Sequence, residues 1–169
     1  VKAGGLQDID TAIKGDWAAA TSPGAIDAFS YNGRVWGAPM LMSQVGFYYN
    51  KALFAKAGVD ANAIKTWEQY LAAVKQLKDA GVTPIIAGGA DKWPLHFYWT
   101  HLALRLGGKS AFEAAQKGEG GGFGGDTFVK AGERFKELVA LQPFQSGFLA
   151  STAPQSYGQP FYHAYIIVH

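Results

Sequence analysis

The densest run of chemistry-bearing side chains is Asp91-Lys92-Trp93-Pro94-Leu95-His96-Phe97-Tyr98-Trp99. It follows an apolar extended run, residues 82–87, and the loop Gly88-Gly89-Ala90. Pro94 fits the first turn of a helix, where its missing N–H costs nothing. Loops leaving strand ends and helix N-termini are where α/β sheets place ligands. Trp93 offers a flat apolar face, with Asp91, Lys92 and His96 around it as donors and acceptors. That combination suits a sugar, whose C–H face packs on a ring and whose hydroxyls need polar partners. The same Trp also suits plain packing at a helix N-terminus, and the residues alone leave both readings open. Phe97, Trp99 and Leu102 read as core.

Other chemistries find less support. Hydrolysis of a glycoside needs two facing carboxylates. Asp91 has no evident partner nearby in sequence, and Glu119 and Asp126 are the candidates it would have to meet. No G-x-S-x-G turn is present to raise a serine nucleophile. With no cysteine, thiolate catalysis and zinc–thiolate sites drop out. His96 and His101 stand five apart on an expected helix, which splays them, and His163 and His169 are remote. The glycine stretch 118–125 lacks the Lys-Ser/Thr of a phosphate loop and reads as a connector. No catalytic residue, metal or cofactor is therefore assigned.

The elements that must position the loop can be read from spacing. Thr66 begins a helix to Ala80, with Gln69 completing a capping box. Trp67, Tyr70, Leu71, Val74 and Leu77 fall on one face, and Gly81 suits its C-terminal end. A shorter helix covers residues 51–57 before Gly58. The helix opened by Pro94 is expected to close at Leu106, before Gly107-Gly108. Asp126 or Thr127 caps a further helix with Phe128, Ala131, Phe135, Leu138 and Val139 on its apolar face. Near the start, residues 10–20 suit a short helix broken by Thr21-Ser22-Pro23-Gly24. Asn32-Gly33 marks a hairpin turn within residues 29–39. Residues 45–49 and 162–168 read as extended, and 143–160 as irregular. Helices alternating with strands indicate an α/β fold.

Composition bounds the rest. The 169 residues suit one domain or two small lobes. A content of 49% hydrophobic and 17% charged residues excludes a disordered chain. A net charge of +2 without a basic run argues against nucleic acid. No apolar stretch approaches the length of a membrane span. The 22 glycines, about twice the usual share, and an aromatic content of 14% fit either tight packing or ligand-facing surfaces. The chain opens Val1-Lys2-Ala3-Gly4-Gly5, without Met or a signal segment.

The order of motifs resembles a known family. The stretch Tyr31-Asn32-Gly33-Arg34-Val35-Trp36-Gly37-Ala38-Pro39 precedes Gly46-Phe47-Tyr48-Tyr49-Asn50-Lys51-Ala52-Leu53-Phe54-Ala55-Lys56-Ala57-Gly58. Lys65-Thr66-Trp67-Glu68-Gln69-Tyr70 follows. The chain is similar to the solute-binding proteins of ABC sugar importers, the group that includes maltose-binding protein, across about residues 1–158.

The resemblance implies a partial α/β fold of the type II periplasmic-binding kind. Residues 1–40 would end a first lobe, 41–44 would cross between lobes, and 45–169 would form most of a second lobe. It implies a non-catalytic protein that binds a sugar between lobes and delivers it to a membrane permease. The location would be periplasmic or extracellular. Ser43 and Gln44 would line the cleft, with Asp91, Lys92 and Trp93 facing it and His96 beside them. Trp36 would sit in the first lobe's core. The tail Phe161 to Val168 departs from the family's pattern. An incomplete lobe implies possible self-association, and a diverged lobe serving only as an interaction module is the alternative.

Overall fold

A computed structural model of the chain describes residues 4–13, 15–40 and 45–152. It divides into two units, Val1–Gln44 and Val45–His169. The expected extended run at 162–168 and the crossing at 41–44 lie outside the described residues.

In the first unit, helix α1 (Asp16–Ala20) is shorter than the expected 10–20. Helix α2 (Pro23–Ala28) was not expected. The residues that break α1 also start α2: the Ser22 hydroxyl accepts from the Ala25 N–H at 3.3 Å, and Pro23 takes the first turn. The hairpin forms as read. Strands β1 (Ser30–Tyr31) and β2 (Arg34–Val35) pair antiparallel around Asn32 and Gly33, whose φ angles are 52° and 72°. Residues 8–10 run beside β2: Ile9 N–H donates to the Val35 carbonyl at 2.9 Å, and Arg34 pairs with Asp8 at 2.6 Å. Trp36 is only half-buried, against the core position expected for it. Its indole N–H donates back to the Tyr31 carbonyl at 2.9 Å.

The second unit is built on helices. Helix α3 (Lys51–Lys56) is capped by the Asn50 side chain and ends before Gly58 at φ 68°. Helix α4 (Trp67–Asp79) carries the expected capping box: Thr66 Oγ1 accepts from Gln69 N–H at 3.2 Å, and Gln69 Oε1 accepts from Thr66 N–H at 3.0 Å. Its face buries Val74 and Leu77.

Helix α5 (Trp93–Gln116) does not stop at Leu106. It breaks at Gly108 (φ 67°, ψ −174°) and resumes. Glycine pays no Cβ penalty at positive φ, so the pair that should end the helix bends it instead. At Gly107, a Cβ would lie 2.6 Å from Ala111 Cβ and Thr127 Cγ2, so the close approach of α6 also requires glycine.

Helix α6 (Asp126–Ala140) starts from Gly125 rather than from an Asp126 or Thr127 cap. Phe128, Ala131 and Leu138 are buried, whereas Val139, in its last turn, is 44% exposed. Residues 119–124, expected as a loose connector, form a tight turn with Gly120, Gly121 and Gly122 all at positive φ. Phe123 from this turn packs edge-on against Phe128.

Three apolar clusters make the core of this unit. One joins Phe54, Ala73, Leu77 and Val82, and a second joins Val74, Ile85, Tyr98 and Leu138. The third joins Leu102, Ala103, Phe128 and Ala131. Leu102 is core as expected. Phe97 and Trp99 are partly buried against two of these clusters.

Residues 143–152 are not irregular throughout. They return alongside 85–90 in parallel. Ile85 N–H donates to the Pro143 carbonyl at 3.0 Å, and Gln145 N–H to the Ile85 carbonyl at 3.2 Å. Gln145 then uses its side chain as a strand would use its backbone. Its amide accepts from Ala87 N–H at 3.0 Å and donates to the Ala87 carbonyl at 2.8 Å. Gly89 N–H reaches the Phe148 carbonyl at 2.9 Å, and Ala90 N–H reaches the Ser151 carbonyl at 3.0 Å.

Candidate functional site

The ladder along 85–90 delivers the chain to the Asp91–His96 loop. Residues 82 and 84–89 are buried, and exposure begins at Ala90. A buried rail thus ends at a solvent-facing turn. Gly89 lies directly against residues 148 and 149: a Cβ there would stand 2.7 Å from the Phe148 carbonyl oxygen and 3.0 Å from Leu149 Cα.

The turn itself is strained. Lys92 adopts φ 63°, a conformation costing a side-chain-bearing residue of order 1–3 kcal/mol. It persists because both flanks are fixed. Lys92 N–H donates to the Gly89 carbonyl at 3.1 Å, Trp93 N–H to the Asp91 carbonyl at 2.6 Å, and Leu95 N–H to the Lys92 carbonyl at 3.2 Å. Pro94 is buried in the first turn of α5.

These constraints hold Trp93 43% exposed. The ring meets Phe97 edge-on, with centroids 5.8 Å apart and planes at 82°. That contact anchors one edge and leaves apolar surface facing solvent. His96 hydrogen-bonds through Nδ1 to the Trp93 carbonyl and lies 4.4 Å from the Phe97 ring. Lys92 and His96 are exposed, and Asp91 is half-buried. Asp91 and Lys92 thus precede α5, and Trp93 and His96 stand in its first turns. Ser43 and Gln44, the remaining predicted site residues, lie outside the described residues.

The arrangement gives an exposed aromatic side chain on a short stretch that also carries a carboxylate, an ammonium and an imidazole. Such a surface can hold a polar ring by stacking and hydrogen bonding. Glu119 and Asp126, the carboxylates that glycoside hydrolysis would have to bring to Asp91, border a different concavity beside the glycine turn, which Asp91 does not line. Sequence reasoning missed the supports of the loop: Gly89, Gln145 and Phe148. Gly89 was legible as a glycine but not as a contact. Nothing local to Gln145 or Phe148 points to residues 87–89.

Comparison with known proteins gives a consistent result. The family described as bacterial extracellular solute-binding protein matches residues 1–169. A probable sugar-binding periplasmic protein of Rhizobium meliloti is 31% identical over 140 residues, covering 81% of this chain and 33% of that protein. A structure described under xylan utilization by the thermophilic bacterium Caldanaerobius polysaccharolyticus is 27% identical, with a TM-score of 0.81 over 99% of this chain and 43% of its own. The ABC transporter associated binding protein of B. animalis subsp. lactis Bl-04, solved in complex with beta-1,6-galactobiose, shares the fold. Its TM-score is 0.69 at 21% identity, over 99% of this chain and 41% of its own. The chain thus spans about a third of the Rhizobium relative and two-fifths of these structures.

Proposed function

We propose, from the premise that this chain belongs to the bacterial extracellular solute-binding proteins, that it contributes the Trp93 wall of a sugar-binding cleft in an ABC importer's binding protein. Its fold is part of the type II periplasmic-binding fold. The observation that carries the proposal is Trp93, 43% exposed at the start of α5 on a hydrogen-bonded turn whose sequence neighbours are Asp91, Lys92 and His96. The likeness to a probable sugar-binding periplasmic protein supports a sugar as the ligand.

In this reading residues 1–40 belong to a first lobe, 41–44 cross, and 45–169 belong to a second. Ser43 and Gln44 join the loop in lining the cleft. The C–H face of a sugar ring covers Trp93, while its hydroxyls exchange hydrogen bonds with Asp91, Lys92 and His96. A ligand shifts such a protein toward its closed form only by binding that form more tightly. The closed form is then what a membrane permease would read, outside the cytoplasmic membrane. No bond is made or broken in this sequence, so the protein acts as a carrier and not an enzyme.

Titration with mono- and disaccharides, followed by intrinsic Trp fluorescence, tests the reading. A saturable change is expected. Trp93→Ala removes roughly 80 Å² of apolar contact, about 2 kcal/mol at the usual transfer coefficient, and weakens binding roughly thirtyfold. A folded chain that responds to no sugar at high millimolar concentration overturns the proposal and favours an interaction module without sugar binding.

A second copy of the chain is the other proposed partner. Tyr48 and Tyr49 are 51% and 40% exposed, and apolar surface of that kind favours association. A clean monomer in size-exclusion chromatography at tens of micromolar, roughly the range where weak dimers still form, removes that part.

A further inference from the structure

A second concavity lies in the unit formed by residues 45–169, away from the Trp93 loop. It encloses about 410 Å³ between the extended run at Phe47 and the facing sides of α4 and α5. That volume matches a small-molecule pocket. Its floor is aromatic. Trp67 and Tyr70 stack with centroids 5.3 Å apart and planes at 19°, and Phe47 leans on Tyr70 at 5.8 Å. Its rim is basic. Lys65 comes from the α4 side, and His101 and Arg105 come from one face of α5, four residues apart.

Among the described residues no carboxylate lines the concavity itself, and Glu137 accepts from the Trp67 indole N–H at 2.8 Å beside the floor. Among the described residues, neither Lys65 nor Arg105 takes part in an ion pair. The other basic side chains of this neighbourhood are employed differently, Arg134 pairing with Glu68 at 2.9 Å and Glu137 at 3.7 Å. His101 is placed by its edge-on contact with Phe47 at 5.3 Å. Partial burial, and next the charge of Arg105, lower its affinity for a proton. A neutral ring at this position offers one donor and one acceptor.

We propose that this concavity is a second ligand site, distinct from the Trp93 loop, for a small ring carrying a carboxylate, with a uronic-acid sugar as the fitting class. The aromatic floor takes the C–H face of the ring. The guanidinium of Arg105 offers the carboxylate two parallel donors, a geometry that an ammonium cannot supply. Lys65 adds charge from the opposite side, and His101 meets a hydroxyl. A neutral sugar gains the stacking but leaves two cations without a counter-charge, so the site discriminates by charge first.

Ligand-detected NMR with glucuronate, glucose and acetate tests this on the chain bearing Trp93→Ala. That background keeps the outcome separate from the fate of the first proposal. Glucuronate is expected to saturate at low millimolar concentration, at least tenfold tighter than glucose or acetate, about one ten-fold step per 1.4 kcal/mol. Arg105→Gln, at an exposed position that leaves the core intact, is expected to remove that preference. Lys65→Gln is expected to weaken binding by a smaller factor. Acetate binding as well as glucuronate would mean an adventitious ion only and would overturn the proposal. So would glucuronate binding unchanged in Arg105→Gln, or no saturation by any of the three probes.

Discussion

Ile85→Ala lowers the unfolding free energy by roughly 3 kcal/mol, the lost transfer energy of the side chain plus the cavity it leaves. Ile85 has no exposed surface and sits in the cluster with Val74, Tyr98 and Leu138. Neighbours on four separate segments limit how far the cavity can collapse. The residue also carries both backbone hydrogen bonds that start the parallel ladder, to the Pro143 carbonyl and from Gln145 N–H. A domain of this size is stable by only about 5–15 kcal/mol, so the loss is a large share. Urea denaturation is the check: the midpoint should fall steeply while the slope stays constant. A loss under about 1 kcal/mol would show that the site relaxes freely and that Ile85 is not the keystone of this cluster.

Gly89→Ala is expected to act on function more than on folding. The new methyl meets backbone at 2.7 and 3.0 Å, at the Phe148 carbonyl oxygen and Leu149 Cα. Neither atom can rotate aside, so residues 148–151 must move or the loop must. Overpacking of this kind costs about 1–3 kcal/mol. The hydrogen bonds from Gly89 to Phe148 and from Ala90 to Ser151 are the first to be lost. Those two bonds fix the take-off of the Asp91–His96 turn, so Trp93 shifts with them. The expected result is a chain with native circular dichroism, a modestly lower melting temperature and a sugar response weakened at least tenfold, the scale on which small misplacements act. Full sugar affinity in a folded Gly89→Ala chain would separate the ladder from the site.

The parts of this structure legible in the sequence are those whose causes are local. The capping box of α4 needs only Thr66 and Gln69, three residues apart, and both hydrogen bonds are present. The Asn32-Gly33 turn needs two residues that tolerate positive φ. The Trp93 loop draws attention because it concentrates an aromatic and three polar groups within six residues, and the structure places Asp91 and Lys92 before α5 and Trp93 and His96 in its first turns.

What escaped depends on distant partners or on residues with two uses. Gly107-Gly108 reads as a stop, yet glycine also permits a bend, and the contact with Thr127 decides which occurs. Ser22-Pro23 both breaks one helix and starts the next. The spacing puts Val139 on the apolar face of α6, but Leu138 takes the buried position of the last turn and Val139 beside it is exposed. The partners of 85–90 lie in residues 143–151, where a Gln side chain replaces a strand's backbone. Tyr98, left out of the expected core, is buried in it, and among the described residues its hydroxyl and that of Tyr70 lie deep without a hydrogen-bond partner. Burial, and for Tyr70 next the neighbouring Tyr98, pushes both phenols above the usual tyrosine range.

The span of that ladder has a consequence for how the molecule is made. Ala87 must wait for Gln145, 58 residues later. At about 5–20 residues per second, a ribosome needs roughly 3–12 s to deliver it. Helix α4 closes its own turns in microseconds or less. During synthesis the chain therefore carries α4 and an unsupported Trp93 turn for seconds while α6 is still to come, and that interval is where a chaperone would find apolar surface to hold.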